Sequence, residues 1–151
     1  MKKIRLVLCV DNNSSFLRTC EDLFSRDGFE AATADSGLKT VEMLGSMKKL
    51  PDLVVINVMM PDMNGFELLK IIKNNPRYKR IPVVMLTNLN NENQVQQAYM
   101  LGAILYLVKV DYGPKEIAEK IKEIASAYKP DFGVPEVKVE TKDISGAASP
   151  K

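Results

Sequence analysis

The chain has 151 residues, 46% hydrophobic and 26% charged, which is the balance of one soluble globular domain with or without a tail. Lys plus Arg number 21 and Asp plus Glu 19, and a net charge of +2 gives no support to nucleic acid or a membrane surface as the main partner. The sequence has no His and no Trp, which excludes a Ser-His-Asp or Cys-His centre, a His-ligated metal and a phosphohistidine donor role for this chain. Cys9 and Cys20 are too few for a four-ligand zinc site and lie in apolar-periodic segments, so buried free thiols in a reducing cytoplasm are expected. Met1-Lys2-Lys3 leads into no signal-peptide apolar stretch, and no apolar run has the length to span a bilayer. The expected location is cytoplasmic.

Two periodicities alternate along the chain. Ile4 to Val10 is a nearly continuous apolar run, the pattern of a strand buried on both faces of a parallel sheet. A helix capped by Ser14 or Ser15 follows, with Phe16, Leu17, Cys20, Leu23 and Phe24 at helical spacing and a stop near Asp27-Gly28. Phe29 to Thr33 is a weaker strand. Ser36 precedes a second helix carrying Leu38, Val41, Met43, Leu44 and Met47. Leu53 to Val58 is the third strand. Asn64 precedes the third helix, with Phe66, Leu68, Leu69, Ile71 and Ile72, which ends before Pro76. Ile81 to Leu86 is the fourth strand, and Asn91 to Leu101 a polar fourth helix closed by Gly102. Ile104 to Val108 is the fifth strand. Pro114 fits the first position of a fifth helix, whose Ile117, Ile121, Ile124 and Tyr128 share one face before Pro130 stops it.

Strands alternating with helices imply a parallel sheet with right-handed crossovers and helices on both faces. The alternation fills residues 1–129. The remainder, 130–151, has three Pro, two Gly and few apolar residues, and reads as a disordered tail. In that tail Val137 to Thr141 alternates like a strand, and a docked strand or partner-binding peptide is the alternative reading.

Ligands of open parallel sheets bind beyond the carboxyl ends of the strands, where strand order reverses. Those ends carry Asp11-Asn12-Asn13, Asn57 followed by Val58-Met59-Met60-Pro61, Thr87-Asn88 and Lys109. Each residue alone has a bland reading: a turn for the first group, a strand end for Thr87, a solvated charge for Lys109. Together they point to a site.

At these residues the sequence resembles the response-regulator receiver domain, the CheY-like phosphoacceptor module of two-component signalling. The stretches LVLCVDN, GFEAATADSG, PDLVVINVMMPDMNGFELL, IPVVMLT and GAILYLVK carry the likeness in order, from about Ile4 to Tyr128. The resemblance implies a flavodoxin-like (βα)5 doubly wound sandwich with a five-stranded parallel sheet. It also implies a signalling protein rather than an enzyme. Asn57 stands where the family has the aspartate that takes up phosphate, and an amide is no such nucleophile, so the phosphorelay step is expected to fail here. This is either a natural pseudo-receiver or an engineered block. The acidic pair after the first strand is here Asp11-Asn12. With the Met59 carbonyl, Asp11 and Asn12 make the implied metal set, now poor in charge, so Mg2+ is expected to bind weakly or not at all. Thr87 and Lys109 match the groups that meet the phosphoryl oxygens, with structural roles as the alternative, Lys109 as an ion-pair partner of Asp11. Tyr106 matches the aromatic switch position, or is an edge-strand aromatic covering the fourth helix. Val110 replaces the proline that usually follows the lysine, so a trans bond and a rearranged 110–113 loop are expected.

The implied partners are a histidine kinase, another receiver or an output protein, met through the face of helix four, strand five and helix five. A monomer or weak homodimer is expected. The alternative is a flavodoxin-like enzyme or nucleotide or flavin binder on the same architecture. The turn DNNSSF lacks the glycines of a dinucleotide fingerprint or P-loop.

Overall fold

A computed structural model describes residues 4–88, 92–109 and 112–127. Five parallel strands, β1 (Leu6–Val10), β2 (Glu30–Ala34), β3 (Leu53–Asn57), β4 (Val83–Thr87) and β5 (Leu105–Val108), form one sheet in the order β2-β1-β3-β4-β5. Helices α1 (Ser14–Arg26), α2 (Gly37–Ser46), α3 (Gly65–Asn74), α4 (Glu92–Met100) and α5 (Pro114–Ala127) alternate with them. This is the flavodoxin-like arrangement, and strand order reverses between β1 and β3.

The apolar runs are continuous because the central strands are covered twice. Along β1, Leu8 and Val10 join one core with Val54, Ile56, Leu44, Phe66, Val95 and Tyr106, under α2, α3 and α4. Val7 and Cys9 join the other, with Phe16, Leu23, Ile117 and Ile121 of α1 and α5. Fully burying one such side chain contributes about 1.5–3 kcal/mol. Cys9 and Cys20 are buried free thiols in that second core. The outer strand β2 is partly exposed, which is why its sequence signal is weak.

Element boundaries differ from the sequence reading by a residue or two, and one cap moves. Asn13, not Ser14 or Ser15, caps α1: its side chain accepts from Phe16 N at 3.1 Å, and both serines lie inside the helix. Either residue type suits a cap, but only Asn13 has the extended backbone the position needs. Ser36 and Asn64 cap α2 and α3 as expected, the latter in a reciprocal pairing with Glu67. Gly28 and Gly102 end their helices with φ of 83° and 107°. The tail at 130–151 and the Val110 bond lie outside the described residues.

Candidate functional site

The strand order places the carboxyl ends of β1, β3, β4 and β5 side by side, and the chemistry-bearing residues meet there. Asp11 leaves β1 with its side chain 1% exposed. Its Oδ2 lies 2.7 Å from Lys109 Nζ, and its Oδ1 accepts the Asn13 N–H at 2.9 Å. The lysine side chain, 16% exposed, crosses over Phe16 of α1, with Nζ 5.1 Å from the ring centre. The Asp11–Lys109 pair, the structural alternative for the lysine, is present, and the Phe16 ring that covers it was not read from the sequence.

Asn57 closes β3 and is 5% exposed. Its Nδ2 donates to Met59 O at 2.7 Å and to Asn12 Oδ1 at 3.2 Å. The amide thus draws the first-strand turn and the β3–α3 loop together. That loop returns close to the strand: Gly65 N donates to Val58 O at 2.8 Å, and a Cβ on Gly65 would lie 2.5 Å from Asn57 O. Beside it a hollow of about 440 Å³ is lined by Asn12, Val58, Met59, Met60, Pro61 and Asn64. Met59 is exposed at its rim.

Thr87 and Tyr106 are fully buried. The Tyr106 hydroxyl donates to Gln94 Oε1 of α4 at 3.4 Å, so the ring lies beneath that helix. Burial pushes its phenol up from the usual value, while a hydrogen bond with the Thr87 side chain works the other way. Asp62 of the β3–α3 loop reaches sideways to the start of α2, accepting from Leu38 N at 2.8 Å and Gly37 N at 3.2 Å. Those hydrogen bonds, that from Leu38 first, hold its carboxyl below the usual value. Carboxylates favour helix N-termini, but which helix a loop acid reaches depends on the fold.

In this arrangement one carboxylate and one ammonium neutralise each other, and two neutral amides and a buried hydroxyl complete the group. Among the described residues no three acidic, Cys or His side chains cluster as a metal site would need. Both Asp11 oxygens are engaged.

Residues 7–122 match the response regulator receiver domain family. The two-component response regulator ORR5 of Oryza sativa subsp. japonica is 32% identical over 103 residues, covering 68% of this chain and 76% of that protein. RcaC of Microchaete diplosiphon is 32% identical over 115 residues, 76% of this chain, but the chain spans only 17% of RcaC's length. Among solved structures, the chemotaxis response regulator CheY4 of Vibrio cholerae superposes with a TM-score of 0.70 at 26% identity, covering 80% of this chain and 98% of CheY4. The Mn2+-bound form of response regulator Rcp1 does so with a TM-score of 0.70 at 26% identity, covering 91% and 99%. These likenesses favour the signalling reading over an enzyme or a flavin or nucleotide binder. With the 2-1-3-4-5 sheet and the cluster at its switch point, they establish that the chain belongs to the response regulator receiver domain family.

Proposed function

We propose that this receiver domain signals by binding other proteins and takes up no phosphoryl group at Asn57. The observation that carries the reading is the amide at the end of β3, donating at once to Asn12 Oδ1 and Met59 O. In the family reading these two oxygens, with Asp11, would face a divalent cation. Here a hydrogen-bond donor already lies between them, and Asp11 is committed to Lys109 and Asn13. A hard dication that dehydrates reluctantly needs more charge than this set offers, so the residues do not fit Mg2+.

Thr87 and Lys109 keep the family's positions but act as structure, the lysine by neutralising buried Asp11. Tyr106 is the switch-position aromatic, held inward under α4. Without an acceptor, the balance between conformations is set by bound partners rather than by phosphate.

Those partners are a histidine kinase docked without transfer, another receiver, or an output protein. The surface for them is the face of α4, β5 and α5. Among the described residues α4 turns out mostly polar side chains beside the exposed Met100, which suits transient contact and a monomer or weak homodimer. Neither a membrane nor nucleic acid is the target; among the described residues no helix is long and apolar enough to cross a bilayer. The working location is the cytoplasm.

A Mg2+ titration followed by amide NMR tests the pocket. Signals of Asp11, Asn12, Asn57 and Met59 are expected to show no saturating shift in the native chain and a saturating one in Asn12→Asp/Asn57→Asp. Saturation in the native chain at the concentration that saturates the variant would overturn the reading.

A further inference from the structure

The end of the sheet opposite the site carries a charge pattern that phosphoryl chemistry does not use. The α2–β3 and α3–β4 connections both lead into the amino ends of strands. Arg77 Nη2 donates to Met47 O at 3.1 Å, which ties one connection to the other. With the last turn of α3 they carry Lys48, Lys49, Lys73, Arg77, Lys79 and Arg80, and the acid among them, Asp52, is buried and accepts from the backbone N–H groups of Arg5 and Leu6. The whole chain is only +2; without these six cations it has 15 bases against 19 acids, net −4. So uneven a distribution creates a local positive field that the net charge conceals.

Lys73 is the buttress of this surface. Its Nζ donates to Lys79 O at 3.1 Å and Ile81 O at 2.6 Å, fixing the backbone that presents Lys79 and Arg80. Lys48, Lys49, Arg77, Lys79 and Arg80 are exposed. Glu30 approaches Lys49 only to 3.9 Å, with side chains 71% and 60% exposed, a contact that competing carboxylates displace at little cost.

We propose that this basic floor is a docking surface for an acidic segment of a protein partner. Forked guanidinium groups and mobile ammonium groups on a fixed backbone suit successive Asp and Glu side chains. Nucleic acid fits less well: Tyr78, the aromatic of this stretch, is buried and offers no free face for a base. A bilayer fits less well too, because between Lys70 and Arg80 only Ile71 is an exposed large apolar side chain. The surface is remote from Asn57, so its use does not depend on whether that residue accepts phosphate.

The test uses the full chain and fluorescein-labelled poly-L-glutamate, read by anisotropy at low and high salt. Arg77 is left in place because it holds Met47 O. The variant Lys48→Gln/Lys79→Gln/Arg80→Gln is expected to bind at least about tenfold more weakly than the native chain. A control with the same charge loss elsewhere, Arg18→Gln/Lys39→Gln/Lys115→Gln, is expected to bind within about twofold of native. Urea unfolding of both variants confirms that each is folded. Equal weakening in the two variants would overturn the proposal, leaving only non-specific attraction. Tighter floor-dependent binding of a single-stranded oligonucleotide, or of phosphatidylserine vesicles, would also overturn it by naming another partner class.

Discussion

The Asp11–Lys109 pair predicts an asymmetric response to losing either member. In Lys109→Met the Asp11 carboxylate stays where it is, 1% exposed, with only the Asn13 N–H at 2.9 Å to satisfy it. Removing one partner of a buried pair costs about 3–5 kcal/mol, and the partial exposure of the lysine places this case near the lower end, about 3 kcal/mol. In Asp11→Asn the amide oxygen still accepts from Asn13, and the remaining ammonium is 16% exposed at the end of a long stem. It can turn to water while its methylenes stay on Phe16, so the cost is about 1 kcal/mol. The double variant Asp11→Asn/Lys109→Met leaves no orphaned charge and should lose only about 1–1.5 kcal/mol, a coupling of about 2.5–3 kcal/mol. Urea unfolding of all four proteins measures this as shifts in midpoint at constant m. A loss in Lys109→Met no larger than in Asp11→Asn, or a double variant that loses the sum, would refute a buried, mutually compensating pair.

Two further outcomes follow from the β3–α3 loop. Gly65→Ala places a Cβ 2.5 Å from Asn57 O and 2.8 Å from Val58 Cα, both backbone atoms, so it should cost about 3 kcal/mol; a midpoint shift within error of zero in urea unfolding would contradict the close approach. Asp62 has its carboxyl lowered by the α2 N–H groups, so its stabilisation is present above the ordinary value of 3.8 and is lost as pH falls below it. Asp62→Asn should therefore show a shallower fall in stability than the native chain below pH 3.8, measured by urea unfolding across the acid range.

The double burial of β1, β3, β4 and β5 made those strands legible, since only a parallel sheet covered on both faces needs runs such as LVLCV and LVVIN. The convergence of the strand ends was legible for the same reason: a parallel topology fixes which strand ends share a crevice before any side chain is placed. Four features were not. Asn13 capped α1 instead of Ser14 or Ser15 because all four adjacent residues of NNSS are of types that suit a cap, and backbone angle decides among them. Asp62 on the start of α2 and Phe16 over Lys109 join elements by contacts that no local periodicity encodes. The basic floor was hidden by an overall charge of +2 that averages its two ends.

The role of Asn57 is tested most directly by intact-protein mass after incubation with Mg2+ and a small-molecule phosphodonor, beside Asn57→Asp. The native chain is expected to show no adduct. An adduct on Asn57→Asp alone would mean that only the acceptor is missing, and none on either chain that Asn12 and the committed Asp11 disable the pocket as well. A phosphoryl adduct on the native chain would contradict the proposal that this receiver acts through binding without accepting phosphate.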